Sequence, residues 1–236
     1  MSTLRNVSNN LDKDFENFNY LPQKLGYEDL NLGLKNFFES LNFSLEFENG
    51  NIQKVPIYWI PQELWAERKQ NWKDMRNEHG EEITRPYITL GKTGTGKGTA
   101  PTKRTIPKKM KFQFLKVPKF DGTLKGYDVY KISQPTWVDV KYDLMFVTHY
   151  QQDVDAFHEL IQRDAFSDGQ AYLKINGYNI PVLADTPSDE DDFNEITSER
   201  LYQITYPLLL HGKLIDPTKF QKINTITKIS IKISEK

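Results

Sequence analysis

The sequence predicts an α+β fold, a mixed and mainly antiparallel sheet flanked by helices, with a long protruding loop or hairpin and extended arms at both ends. Three observations predict it. Apolar residues alternate along several stretches, most clearly Val138, Val140, Tyr142, Leu144 and Phe146, with Asp139, Lys141 and Asp143 on the other face. Two other stretches carry apolar residues at helical spacing, Leu30, Leu34, Phe37, Phe38 and Leu41 in one, Val154, Phe157, Leu160 and Ile161 in the other. Two Asn-Gly pairs, Asn49-Gly50 and Asn176-Gly177, separate alternating runs and mark tight hairpins.

Taken in order, residues 1–24 are polar and Asn-rich and read as an arm, whose Leu11, Phe15, Phe18 and Tyr20 could dock on a neighbour. Residues 25–216 read as the main domain. Its first helix spans 27–42. A hairpin follows, Phe43 to Phe47 and then Ile52 to Trp59, and Pro61 ends it. Glu63 to Arg76 can form a short helix, and Arg85 to Leu90 a strand. Residues 91–126 break the pattern with glycines, prolines, threonines and lysines, and read as a long loop or protruding hairpin. Residues 136–148 form the central strand. Its far face turns apolar at Met145 and Val147, so that end enters the core. The next helix is capped by Gln152 or Asp153, with Asp155 in its first turn. Strands Ala171 to Ile175 and Tyr178 to Leu183 precede an acidic loop, and Leu201 to Leu210 returns as a long strand. Pro207 cannot donate to a ladder, so that strand is at an edge or bulged there. Residues 217–236 form a C-terminal arm whose Ile229, Ile231 and Ile233 alternate with polar residues. This last strand pairs within its own subunit or onto a neighbour.

Composition narrows the function classes. The chain has 236 residues and a net charge of −1, which implies no bulk attraction to DNA or to an anionic membrane. It has no cysteine, which excludes disulfides, thiolate-bound zinc and thiol nucleophiles. No apolar run approaches the roughly 18 residues of a membrane span, and the N-terminus has no signal-peptide core, so synthesis and assembly in a cytoplasm are expected.

Gly91-Lys92-Thr93-Gly94-Thr95-Gly96-Lys97-Gly98 nearly spells a phosphate-binding loop. Gly98 stands where such a loop needs Ser or Thr to hold magnesium, and Ala100 to Pro107 is poor material for the helix that must follow. No cofactor is expected. The same region is basic, with Lys103, Arg104, Lys108 and Lys109 among its bases and no acid between them. It reads as a solvated loop, as a contact for an acidic protein surface, or as a segment passing close to a phosphate backbone. Asp189, Glu190, Asp191 and Asp192 form an acidic run without the ligand spacing of a calcium loop. It reads as a solvated loop that the basic segment of another subunit could meet. The histidines, His79, His149, His158 and His211, show no metal-binding spacing, and no nucleophile-elbow motif occurs. No enzyme activity and no catalytic or metal-ligating residue is expected.

Three features together resemble the tail-terminator and sheath-stabiliser (tail-completion, neck) proteins of T-even-type bacteriophages. Ile52-Gln53-Lys54-Val55-Pro56-Ile57, followed by Glu63 to Trp72, is similar to the family's basic-Val-Pro-Ile strand leading into a polar helix. Arg85-Pro86-Tyr87-Ile88 resembles its strand opening with proline. Val140 to Tyr150, running into Asp153 to Ile161, resembles its strand ending in a Thr-basic-Tyr turn before an acidic-started helix, and Arg200 to Gly212 its final core strand. The resemblance covers roughly residues 34–216. The insertion at 91–126 and the short isoleucine-bearing tail depart from it.

The resemblance implies a virion structural protein. Such proteins form a homo-oligomeric ring, six-fold with twelve-fold as the alternative, between the tail tube and the connector below the capsid. Packaged DNA passes through without sequence-specific binding, and no membrane is involved. The partners implied are copies of itself and other phage neck, connector and tail proteins. The ring needs two different complementary faces on each subunit. The residues that could build them are Ile229, Ile231 and Ile233, the basic Lys103, Arg104, Lys108 and Lys109, and the acidic Asp189, Glu190, Asp191 and Asp192. The alternatives are another ring of the same kind of particle, a tail hub or connector ring, or a nucleotide-binding protein using the 91–99 loop.

Overall fold

The computed structural model describes residues 20–46, 50, 52–61, 63, 84–98, 112–120, 124–194 and 199–223. The segments expected at residues 1–19, the helix beyond Glu63, the run holding Lys103, Arg104, Lys108 and Lys109, and the strand holding Ile229, Ile231 and Ile233 lie outside them. The fold is α+β and mainly sheet, as the sequence predicts. The chain divides into two compact units. One comprises Met1–Leu25, Lys103–Thr136 and Leu214–Lys236, the other Gly26–Thr102 and Trp137–Lys213.

The larger unit is built on a seven-stranded sheet and two described α-helices, α1 (Tyr27–Ser40) and α2 (Gln151–Leu160). Strands β1 (Ser44–Glu46) and β2 (Ile52–Lys54) make a separate small antiparallel hairpin. The sheet runs β3 (Ile57–Ile60), β4 (Tyr87–Lys97), β7 (Thr136–Thr148), β11 (Glu199–Leu214), β9 (Tyr178–Ala184), β8 (Gln170–Ile175), and β10 (Ser188–Asn194) also pairs with β11.

Strand β7 is the axis. Val138, Val140, Tyr142, Leu144 and Phe146 are all buried on the face that meets the helices. Phe146 stacks on Phe157 of α2 with ring centroids 4.7 Å apart, and the Tyr142 hydroxyl donates to Asn31 Oδ1 of α1 at 2.6 Å. Phe43 closes the cluster edge-on against both Phe146 and Phe157. On the opposite face Met145 and Val147 pack with Ile60, Tyr87 and Leu201. The strand therefore enters the core at its far end, as its sequence predicts.

Local chemistry explains most of the boundaries. Asp29 accepts the Gly26 N–H at 2.8 Å and settles the start of α1. Asn42, with φ 49, takes the left-handed position just after the helix. Lys54 reaches back to Asn42 Oδ1 at 2.7 Å and to the Glu39 carbonyl at 3.3 Å, placing a cation at the negative end of the helix. Helix α2 begins after Tyr150, which makes no side-chain cap. Asp153, expected as a cap, instead accepts the Thr148 hydroxyl at 2.6 Å and ties the end of β7 to the first turn of α2. Asn176 (φ 48) and Gly177 (φ 77) both hold positive φ, as a type I′ hairpin between β8 and β9 requires.

Three expectations are corrected. The hairpin of residues 43–59 does not continue beyond Val55, whose N–H bonds the Phe43 carbonyl at 2.9 Å. Pro56 has no N–H for a ladder, and β3 pairs in parallel with β4. Residues 91–97 are not loop: they extend β4 along β7, Lys97 opposite Val138, with a bulge between Lys92 and Gly94. The acidic run is not loop either. It is the strand β10, with Asp189 opposite Ile204, Glu190 opposite Gln203, Asp191 opposite Tyr202 and Asp192 opposite Leu201. Propensity disfavours Gly and Asp in strands, but a neighbouring strand that offers a ladder overrides it.

Pro207 marks the break between β9 and β10 along β11. Leu208 faces Ala184 and Thr205 faces Ser188, so three steps on β11 meet four on the other side. The Asp185 N–H bonds the Pro207 carbonyl at 2.9 Å inside this bulge.

The smaller unit holds a three-stranded sheet in the order β12 (Gln221–Ile223), β6 (Leu124–Ser133), β5 (Phe112–Phe120), all antiparallel. Thus the later part of the expected insertion is a hairpin. Lys222 pairs with Asp128 across it at 2.6 Å. Leu25 and Ile215 exchange backbone hydrogen bonds of 3.1 and 3.0 Å.

The glycine-rich end of β4 yields a sharp contrast. A Cβ on Gly98 would sit 2.6 Å from the Val138 nitrogen and 2.8 Å from the Trp137 carbonyl carbon, both backbone atoms, whereas one on Gly94 meets nothing within 4 Å. Gly98→Ala is expected to destabilise by about 1–3 kcal/mol in urea unfolding. Gly94→Ala should stay within about 0.5 kcal/mol of the parent. Equal costs would contradict this placement of the strand.

Candidate functional site

The described surface offers strand edges and an aromatic sheet face, and the polar groups of the larger unit are mostly tied to one another. On β5, Phe112, Phe114, Lys116 and Pro118 share one face, opposite Ser133, Lys131, Val129 and Tyr127 of β6. Phe112 is 46% exposed, Phe114 66% and Tyr127 48%. Lys131 lies 4.0 Å over the Phe112 ring, a cation–π contact that leaves the ring at the surface. The other face is drier, with Ile132 buried.

Among the described residues, β5 pairs with β6 alone and β10 with β11 alone. Each therefore has a free edge of backbone donors and acceptors. Ser188, Asp189, Glu190 and Asp191 are exposed on both faces of β10. Asp191 pairs with Arg200 across the β10–β11 ribbon, and this hydrogen bond holds its carboxyl below the usual carboxylate range. Asp189 and Glu190 have no ion pair among the described residues. On β5, Lys116 and Lys119 are exposed and the strand has no acid.

The residues proposed from sequence thus divide. Asp189, Glu190, Asp191 and Asp192 come together as one strand at a sheet edge. Lys103, Arg104, Lys108, Lys109, Ile229, Ile231 and Ile233 lie outside the described residues. Sequence reading missed the surface role of Phe112, Phe114 and Tyr127. The signal was the alternation in Phe-Gln-Phe-Leu-Lys-Val-Pro, in which both faces carry apolar residues and one must meet solvent or a partner.

The clefts on the larger unit include two among the described residues. One, of about 390 Å³, lies among Gln151, Val154, Asp189, Asp191, Arg200 and Tyr202. The other, of about 430 Å³, lies among Lys141, Asp143, Leu183, Asp185, Pro207 and Leu209. The first is walled by the Asp191–Arg200 ion pair. Neither holds a histidine. His211 Nδ1 is 2.7 Å from Asp139 Oδ1, and His158 meets the Tyr206 hydroxyl through Nδ1 and Gln162 through Nε2. No Ser or Thr hydroxyl bonds a histidine ring among the described residues. Nor does any group of three or more His, Asp or Glu there have the placement of a metal site. The near-match to a phosphate-binding loop lies in β4, with its backbone engaged along β7 rather than wrapped before a helix N-terminus. No described helix is long and apolar enough to cross a membrane.

No family model matches the chain, and no curated protein matches it in sequence.

Two phenols report on the core of the larger unit. Burial raises Tyr142 well above the usual phenol range, with Tyr27 adding to it, and burial likewise raises Tyr206, with the Asp189 charge adding to it. The fold favours their neutral forms. Their contribution is whole below the unfolded phenol value of about 10 and is lost as pH rises beyond it. Stability is expected to fall above that pH. In an ultraviolet titration, Tyr142 and Tyr206 should ionise only as the protein unfolds. The double variant Tyr142→Phe, Tyr206→Phe should have a smaller late step, and a parent whose tyrosines all ionise before unfolding would contradict their burial.

Proposed function

We propose that the chain is a structural subunit of a phage particle, one that closes into a ring at the upper end of the tail where the tail tube meets the connector. The observation that carries this reading is the exposed aromatic face of β5 and β6 beside an open strand edge. Three large aromatic side chains, Phe112, Phe114 and Tyr127, stand exposed on one sheet face. An exposed apolar surface of this kind costs free energy in a lone soluble subunit and gains it in an assembly. A ring also needs two unlike surfaces on each subunit, and the acidic edge at β10 supplies a second of opposite character.

The resemblance of residues 34–216 to tail-terminator and sheath-stabiliser proteins supports the same reading and supplies the location. The partners proposed are further copies of the chain, the neck and connector proteins above, and the tail tube below. DNA would cross the ring without sequence-specific contacts, which agrees with a net charge of −1. A connector or hub ring of the same particle would share the subunit chemistry and differ in position.

Position is therefore the test. Gold-labelled antibody against the chain, imaged on intact particles, should decorate the junction between head and tail. Labelling at the distal tip of the tail, or on no part of the particle, would contradict the proposal.

A further inference from the structure

Three strands of the larger sheet pair with a single neighbour among the described residues, β3, β8 and β10, and in the smaller sheet β5 lies at one end. Their charges differ sharply. Strand β3 carries no charge and β8 a single lysine. Strand β10, Ser-Asp-Glu-Asp-Asp-Phe-Asn, carries four acids and no base. Strand β5, Phe-Gln-Phe-Leu-Lys-Val-Pro-Lys-Phe, carries Lys116 and Lys119 and no acid.

From these two edges we infer that subunits join head to tail by strand addition, the β5 edge of one copy pairing with the β10 edge of the next. The inference rests on the ring reading and names the contact that builds the ring. Backbone hydrogen bonds between two open edges supply the attraction, and side-chain charge selects the pairing. Two β10 edges would bring eight acids together, and two β5 edges would align lysines. Like charges directly opposite destabilise a strand pair, while opposite charges stabilise it. Charges on an edge ordinarily keep strands apart. Here that protection fails only between the two unlike edges.

The geometry limits the ladder. Pro118 has no N–H to give, so a partner strand meets donors only from alternate residues between Phe112 and Val117, the others being turned to β6. That length suits the seven residues of β10. Along this stretch Phe112, Phe114 and Lys116 share the exposed face, so an added acidic strand brings carboxylates beside Lys116. Because the two edges differ, the contact is heterologous and repeats around an axis. Asp191 stays tied to Arg200 within its own subunit, so among the acids of β10 whose side chains are described Asp189 and Glu190 are the selecting charges.

The test uses the full chain. One variant carries Asp189→Lys with Glu190→Lys, the other Lys116→Glu with Lys119→Glu. Circular dichroism checks that both fold, and sedimentation velocity reads assembly. Each variant alone should associate at least tenfold more weakly than the parent, and an equimolar mixture should recover assembly, since each reversed edge then meets its complement. Fold damage alone would not be rescued by mixing. The absence of native cysteine allows a second reading independent of charge reversal. Chains carrying Glu190→Cys and chains carrying Lys116→Cys, mixed and treated with a long-armed bismaleimide, should link to each other far more than to themselves. A parent that assembles while both variants assemble equally well and the mixed cysteines do not link would overturn the strand contact and leave the ring reading standing. A parent that stays a single subunit at every concentration would overturn both.

Discussion

The stacking of Phe146 on Phe157 is the contact on which the larger unit depends, because it joins the sheet to α2 at the place where β7 is buried on both faces. Phe43 reaches the same pair from the segment after α1, and Tyr206 meets Phe157 from β11. Rings at these spacings contribute about 0.5–1.5 kcal/mol per pair beyond the area they bury. Removal of such a ring from a core costs about 3–5 kcal/mol. The Thr148–Asp153 bond fixes the turn that brings Phe157 over Phe146, so a polar contact of ordinary strength sets the registry of an apolar one.

With β7 held centrally, its neighbours need not be good strand formers. Strand β4 follows it through three glycines because every step pairs with β7 except at one bulge. Strand β10 consists largely of acids and still pairs along β11, helped by the Arg200–Asp191 contact. Strong central pairing thus carries weak peripheral sequence out to the edges.

The same division decides what was legible in the sequence. The core was legible because burial leaves a periodic trace: the alternation from Val138 to Phe146, the stripe of Leu30, Leu34 and Phe38, and the Asn176-Gly177 turn all appear as expected. The edges were not. Glycine- and aspartate-rich runs read as loop, since local propensity carries no information about a strand that arrives from elsewhere in the chain. Strand β3 was read as the continuation of a hairpin, and only its pairing with β4 reveals the parallel arrangement. Asp153 had the residue type and place of a cap, but a better acceptor role lay with Thr148. For the candidate site, the acids of β10 were visible by charge alone, whereas the exposed faces of Phe112, Phe114 and Tyr127 required knowing which side of the small sheet is covered.

The proposed ring, closed through unlike surfaces, has a fixed number of copies. Native mass spectrometry of the purified chain over a range of concentrations tests it most directly. The account predicts one dominant species at a fixed multiple of the 27.6 kDa chain, six copies on the favoured symmetry, with no open-ended ladder of sizes. A single-chain mass at every concentration, or a continuous series of oligomers without closure, would contradict it.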